Sequence, residues 1–182
     1  NLIYLCRNCH GRIDNLPQCE IEFPVSKLRK IKEEHESKVR QAMLEAFSEV
    51  SFPELQEATK WVLSVSPTTA TRDYSLLKLE DKIKKNDLDA GIRGVIAMGL
   101  GISNEVSQYI ESVAQTDPDF PERLKAGFLT EYWRLRKDGN KGSSLFELMC
   151  SFAQKGLPRQ AEKSAGLAIL VYFFETCEVF EK

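Results

Sequence analysis

The sequence predicts a mainly α-helical protein in which a small strand-containing module precedes a multi-helix bundle. Apolar residues recur at helical spacing from about residue 76 to the end of the chain. A short β-rich apolar run stands near the start, at residues 2–6. The longest apolar run, residues 165–174, is about half as long as a membrane-spanning helix. We therefore expect a buried helix there and no membrane partner.

Composition narrows the class of protein. With 182 residues, of which 42% are apolar, the chain can build a core, which excludes a disordered tail, a collagen-like fibre and a disulfide-stapled miniprotein. Lys and Arg total 25 against 27 Asp and Glu, so any contact with DNA must be local. Five cysteines without a secretory segment predict reduced thiols in the cytoplasm. Because the chain begins at Asn1, we expect it to belong to a longer protein.

The N-terminal third predicts a strand at 2–6, a turn at 7–11 and a long helix from Phe23-Pro24 to about residue 47. A capping box at 51–54 predicts a second helix to about residue 63. A polar, β-branched stretch at 64–75 predicts a linker. The predicted domains are 1–50, then a helix and linker over 51–75, then 76–182. One face of the long helix should be apolar, through Leu28, Ile31, His35, Val39, Met43 and Phe47.

The remainder predicts a bundle of about six helices. They should span 76–86, 89–100, 103–113, 121–138, 144–154 and 159–180. Ser103 should cap the third, and a capping box at 144–147 should begin the fifth. The last is apolar all round, so we expect it to be buried among the others. Trp61 and Trp133 are expected in the core or an interface, whereas Cys150 and Cys177 are expected to pack in the core.

The chemistry is concentrated in residues 1–14. Cys6 and Cys9 form a CxxC, which is half of a tetrahedral zinc site. They could equally be two structural thiols in a turn. His10 and Asp14, four residues apart, share one face of a helix and suit a catalytic divalent cation. A surface histidine is the simpler interpretation of His10 alone.

This string resembles the second half of the HNH (ββα-metal) endonuclease motif, and the helix after Phe23-Pro24 resembles the helix that trails it. The resemblance implies a remnant of a ββα-metal module. It makes Asn1 the central asparagine that pins the loop between the strands, and His10 the closing metal ligand. Asp14 becomes a further ligand, and Cys6 and Cys9 become one knuckle of a structural zinc site.

The first half of the motif is missing from this sequence. It would supply the first metal ligand, the histidine that activates water and the other cysteine pair. We therefore expect residues 1–182 alone not to cleave DNA, although the longer protein would do so with Mg, Mn or Zn as its divalent ion. His35 lies on the apolar side of its helix and does not replace the missing base. Four cations on the long helix form either a solvated face or a phosphate-contacting surface: Lys27, Arg29, Lys30 and Lys32.

Residues 76–182 carry a second resemblance, to the C-terminal domain of ABC-three-component systems, which include Lamassu-type antiphage defence. The matching segments are 79–86, 119–128, 145–148 and 170–182. The resemblance implies docking on a complex that contains an SMC-like ATPase, and it allows a homo-oligomer. We expect the partner surface near Tyr109 or around Arg134 and Arg136.

The resulting prediction is the C-terminal portion of an HNH DNA endonuclease effector with a helical partner-binding domain. One alternative is a degenerate HNH module that binds zinc and DNA without cleavage. The other is a purely structural adaptor.

Overall fold

The computed structural model describes residues 10, 11, 13, 19–64, 78–176 and 179–181, and every regular element in these ranges is an α-helix. The prediction of a mainly α-helical protein is therefore confirmed. The predicted strand at 2–6 and nearly all of the predicted linker lie outside the described residues. The chain divides into two compact units, Asn1–Glu45 and Ala46–Lys182.

The first unit contains α1 (Cys19–Glu22) and most of α2 (Val25–Ser48). The carbonyl of Pro24 accepts hydrogen bonds from the backbone N–H groups of Lys27 at 2.8 Å and Leu28 at 3.1 Å. The helix therefore begins directly after Pro24, one residue later than the sequence predicted. The predicted end near residue 47 is confirmed.

The predicted apolar face of α2 is largely exposed. Ala46 and Phe47 are the buried residues of this helix, and both belong to the second unit. Ile31 is 37% exposed and Val39 is 45% exposed. The exposed stretch of α2 is supported instead by ion pairs between residues four apart, which stabilise solvated helices modestly.

The second unit includes α3 (Phe52–Ser64), which begins with the predicted capping box. The Glu54 carboxylate accepts a hydrogen bond from the backbone N–H of Ser51 at 3.2 Å, and another from the Ser51 hydroxyl. The buried side of the helix, through Leu55, Ala58 and Val62, packs on later helices of the same unit. This unit therefore begins well before residue 76, where the sequence placed the start of the bundle.

The next three elements are α4 (Leu79–Lys85), α5 (Ala90–Leu100) and α6 (Ser103–Ala114). Asp89 caps α5, because its carboxylate accepts a hydrogen bond from the N–H of Ile92 at 3.0 Å. The predicted Ser103 cap is wrong. Ile102 holds the capping position of α6, and the Ser103 hydroxyl donates to Glu175 Oε2 at 2.6 Å instead.

Two further helices follow, α7 (Phe120–Lys137) and α8 (Gly142–Ala153). Pro121 lies in the first turn of α7, as predicted. The capping box predicted at 144–147 is wrong, because α8 begins earlier. Gly142, at φ +60°, allows the chain to turn into the helix before Ser144.

The last helix, α9 (Gln160–Glu175), is the centre of the second unit and packs against α3, α5, α6 and α8. Its residues 164–171 are all buried, which confirms the predicted buried helix. Gly166 permits the close approach to α8, since a Cβ there would lie 2.1 Å from the carbonyl oxygen of Ala153.

The helix does not continue to residue 180 as predicted. The N–H of Val179 donates to the carbonyl of Phe173 at 3.2 Å, and Phe180 adopts φ +74°, outside the helical region. The chain therefore turns back after α9. None of the described helices combines the length and apolar character needed to cross a membrane.

Candidate functional site

One of the predicted metal ligands, His10, lies in the described part of the chain. Its backbone is helical and its side chain is exposed. Asn1, Cys6, Cys9 and Asp14 lie outside the described residues, so both metal sites stay predictions. Among the residues that the structure describes, no three His, Cys, Asp or Glu side chains lie close enough together to hold a metal ion. By donor chemistry alone, thiolates suit zinc, whereas an imidazole with a carboxylate suits a harder divalent ion.

The four predicted DNA-binding cations lie on α2. Lys27, Arg29 and Lys30 are exposed and Lys32 is half-buried. Successive residues turn ~100° around a helix. Lys27 and Lys30 therefore share one flank of α2, whereas Arg29 and Lys32 share another. The structure does not bring all four cations onto a single face.

These cations differ in their intramolecular contacts. Lys27 Nζ donates to the carbonyl oxygen of Glu22 at 2.7 Å and lies 4.9 Å from the centre of the Phe23 ring. Lys30 pairs with Glu34 at 3.9 Å, and Lys32 pairs with Glu36 at 3.5 Å. Arg29 has no ion pair within the described ranges. These exposed pairs are weak, so a phosphate can displace the carboxylates at little cost.

A buried lysine in the second unit was not foreseen from the sequence. Lys82 has no exposed surface, and its ammonium donates to the carbonyls of Phe174 and Val179, both at 2.7 Å. The ammonium also lies 4.7 Å from the centre of the Phe174 ring. One turn later, the Asn86 side chain bonds the backbone of Glu181. The sequence does carry one indication that Lys82 is buried, which is its spacing. Lys82 stands on the same helical face as Leu79, Ile83 and Asn86.

A second charged group joins α3 to α9. Arg159 Nη2 lies 3.4 Å from a Glu54 oxygen and 2.8 Å from a Glu162 oxygen. The hydrogen bond from Ser51 is the main cause that lowers the pKa of Glu54, and the Arg159 charge adds to it. The backbone N–H of Arg159, followed by its guanidinium, lowers the pKa of Glu162. Both carboxylates are therefore ionised near neutral pH, and the pair between Glu54 and Arg159 links α3 to the start of α9.

A groove between α3 and α6 has a volume of about 470 Å³. Its aromatic wall consists of Phe52, Tyr109 and Phe120. The ring centre of Tyr109 lies 5.5 Å from that of Phe52 and 6.0 Å from that of Phe120. The Tyr109 hydroxyl lies 3.2 Å from the hydroxyl of Thr59. Burial raises the pKa of the Tyr109 phenol, which stays protonated. The groove coincides with the partner surface predicted near Tyr109.

The other predicted partner positions are already engaged. Arg134 pairs with Glu131 at 2.6 Å and with Asp138 at 3.0 Å. Arg136 pairs with Glu181 at 2.7 Å. Trp133, expected in the core or an interface, is 60% exposed and so lies outside the core.

Cys150 is half-buried beside Ile92 and Leu167. Burial is the main cause that raises the pKa of its thiol, to about 12. The thiol is therefore neutral at physiological pH, which suits the packing role expected of it. Cys177 lies outside the described residues.

Comparison with protein-family models, curated proteins and solved structures finds no match to this chain.

Proposed function

We propose that the chain is the C-terminal portion of a metal-dependent HNH DNA endonuclease, the effector of a bacterial antiphage defence complex that acts in the cytoplasm. The observation that carries the proposal is the string from Asn1 to Asp14, followed by a basic helix. The exposed side chain of His10 and the start of α2 directly after Pro24 support this arrangement.

Each residue of the string has a separate role in the proposal. His10 and Asp14 hold the divalent ion, Asn1 fixes the loop between the strands, and Cys6 and Cys9 hold half of a structural zinc site. A bound ion at this position supplies charge stabilisation at the scissile phosphate. The water-activating histidine and the remaining ligands come from the segment before residue 1 of the longer protein.

The nuclease proposal is tested by supercoiled-plasmid cleavage with the longer protein in Mg or Mn. The His10→Ala variant should lose cleavage and keep its unfolding temperature. The matched control is His35→Ala, which removes the chain's other histidine from an exposed position on α2. Cleavage that survives His10→Ala, or that His35→Ala abolishes equally, would contradict the assignment.

DNA contact by α2 is tested by changing one flank at a time. If Lys27 and Lys30 contact phosphates, Lys27→Ala/Lys30→Ala should lower the slope of log affinity against log salt by about two. Arg29→Ala/Lys32→Ala tests the other flank. The matched control, Lys84→Ala/Lys85→Ala, removes the same charge from exposed positions on α4. If all three double variants bind DNA alike, α2 is a solvated helix and this part of the proposal is wrong.

We place the partner-docking surface of the second unit at the groove of Phe52, Tyr109 and Phe120. Aromatic side chains are enriched at the centres of interfaces, and Phe52 is the one of these three that is substantially exposed, at 43%. Phe52→Asp should abolish binding of the SMC-like ATPase complex. Leu148→Asp is the matched control, since Leu148 is 40% exposed on a different helix. Equal binding by both variants would exclude this groove.

A non-catalytic adaptor is the second candidate function. It is favoured by the second unit itself, where Lys82 and Glu54 each link two helices while Phe52 and Trp133 are exposed. An adaptor of this kind would bind zinc, DNA or its partners without cleaving DNA. Partner binding by the longer protein with an intact plasmid, in both Mg and Mn, would favour it.

A further inference from the structure

Residues 179–181, here called the tail segment, cover an aromatic cleft in the second unit. The Phe180 ring centre lies 5.2 Å from those of Tyr132 and Phe146 and 5.3 Å from that of Phe174. These three rings define the cleft. Val179 has no exposed surface and Phe180 is 6% exposed. Val179 and Phe180 are therefore buried in the cleft.

The tail segment is held mostly by side chains of other helices. Lys82 Nζ donates to the carbonyl of Val179 at 2.7 Å. The Asn86 amide donates to the carbonyl of Glu181 at 3.0 Å and accepts from its N–H at 3.2 Å. Arg136 pairs with the Glu181 carboxylate at 2.7 Å. The Asn86 side chain therefore holds both backbone groups of one residue of the tail segment.

The closed state of the tail carries a backbone strain. Phe180 has φ +74°, a region that bulky side chains rarely adopt because it is sterically unfavourable. The hydrogen bonds from Lys82 and Asn86 and the ring contacts of Phe180 compensate for the free-energy cost of this strain. Release of the tail segment would relieve this strain and would remove the Phe180 ring from its contacts with Tyr132, Phe146 and Phe174.

We propose that the tail segment is a releasable strap, and that the aromatic cleft is a docking site for a partner segment of the same chemistry. That segment carries an aromatic residue followed by a carboxylate residue. The cleft takes the ring, Asn86 bonds the backbone, and Arg136 pairs with the carboxylate. The chain's own tail segment competes with the partner segment for the cleft. The apparent affinity of the cleft for the partner segment is therefore the intrinsic affinity multiplied by the fraction of molecules whose cleft is open. The inference does not depend on nuclease activity.

The probe is a labelled peptide with the sequence of residues 178–182, titrated against the full chain. Phe180→Ala removes the competing ring and leaves the cleft intact, so peptide affinity should rise at least tenfold. Glu181→Ala, which loses only an exposed ion pair, should raise the affinity severalfold with little effect on folding. A peptide with alanine in place of its phenylalanine should not bind.

The cleft itself is tested in the Phe180→Ala background. Adding Asn86→Ala should lower the affinity for the peptide at least tenfold. Asn140→Ala is the matched control, because that side chain bonds the carbonyl of Leu135 at 3.1 Å and does not hold the tail. If both tail variants lower the unfolding temperature but neither binds the peptide, the tail is a fixed part of the core and the proposal is wrong. A peptide affinity that Asn86→Ala leaves unchanged would also contradict the proposal.

Discussion

The Lys82 side chain extends from α4 to the C-terminal end of α9. A cation at that end is favourable, because the last carbonyls of a helix carry partial negative charge and lack partners within the helix. The aliphatic stem packs among apolar residues while the ammonium meets two carbonyl oxygens. Lys82 therefore joins α4 to both α9 and the tail segment.

Replacing Lys82 should be costly. Lys82→Met keeps the stem volume but leaves the carbonyls of Phe174 and Val179 without their donor, so we expect a loss of about 2–4 kcal/mol in the free energy of unfolding. The measurement is chemical denaturation. Lys84→Met, on the exposed side of the same helix, should change stability by less than about 0.5 kcal/mol. Equal effects of the two variants would mean that the buried hydrogen bonds contribute little.

Glu54 predicts an acid-sensitive contribution to stability. Its pKa lies below the ordinary 4.5, chiefly because Ser51 donates to it, so the stabilisation is complete above pH 4.5 and is lost as pH falls below it. Glu54→Gln should therefore destabilise the protein at pH 7 and cost progressively less towards pH 3. Glu57→Gln, which removes an exposed pair with Lys60, is the control. A stability gap between Glu54→Gln and the native protein that stays constant with pH would contradict this account.

Single residues show where sequence reasoning ends. On α7, Leu124, Phe128 and Tyr132 recur at helical spacing, and all three are buried. The same pattern suggested a core or interface position for Trp133, which is mostly exposed. Lys82 escaped notice because charge is normally a sign of the surface. Only tertiary contacts reveal that its ammonium finds buried acceptors.

Among the helices, the contact between α8 and α9 depends most on a missing side chain. Gly166→Ala would gain helix propensity, but the added Cβ would collide with the Ala153 carbonyl, 2.1 Å away. We expect a net loss of about 1–3 kcal/mol in unfolding free energy, since the helices must move apart.

The control for that contact is Gly94→Ala, also within a helix. Apart from the backbone of its own helix and its chain neighbours, no atom lies within 4 Å of a Cβ at that position. The substitution should stabilise the protein by about 0.5–1 kcal/mol through propensity alone. If both variants raise the melting temperature, the α8–α9 contact is looser than the structure indicates.

Helix interiors were predictable and helix ends less so. The start of α3 is set by local chemistry at Ser51 and Glu54, which a four-residue pattern contains. The start of α8 depends on the positive φ of Gly142. The capping-box pattern that begins at Ser144 therefore predicted the wrong start. The end of α9 depends on Lys82 and Asn86, more than ninety positions away in the sequence. Periodicity carries no information about such distant partners.

At the scale of the whole molecule, the two units differ in how they are stabilised. The second unit is organised around α9, whose middle is buried on all sides. The described helices of the first unit expose most of their apolar residues, including Ile21 at 84% and Val25 at 65%. The predicted catalytic chemistry and the predicted DNA contacts all belong to this first unit. The proposed function therefore places docking and cleavage in different parts of the chain.

The most direct test of this account compares plasmid nicking by residues 1–182 with nicking by the longer protein, in Mg and in Mn. Residues 1–182 should leave the plasmid supercoiled, because the first metal ligand and the water-activating histidine are expected upstream. The longer protein, with its partner subunits, should nick the plasmid and lose this activity with His10→Ala. Nicking by residues 1–182 alone that His10→Ala abolishes would show that the chain holds a complete site. An intact plasmid with the longer protein and its partners would contradict the endonuclease assignment.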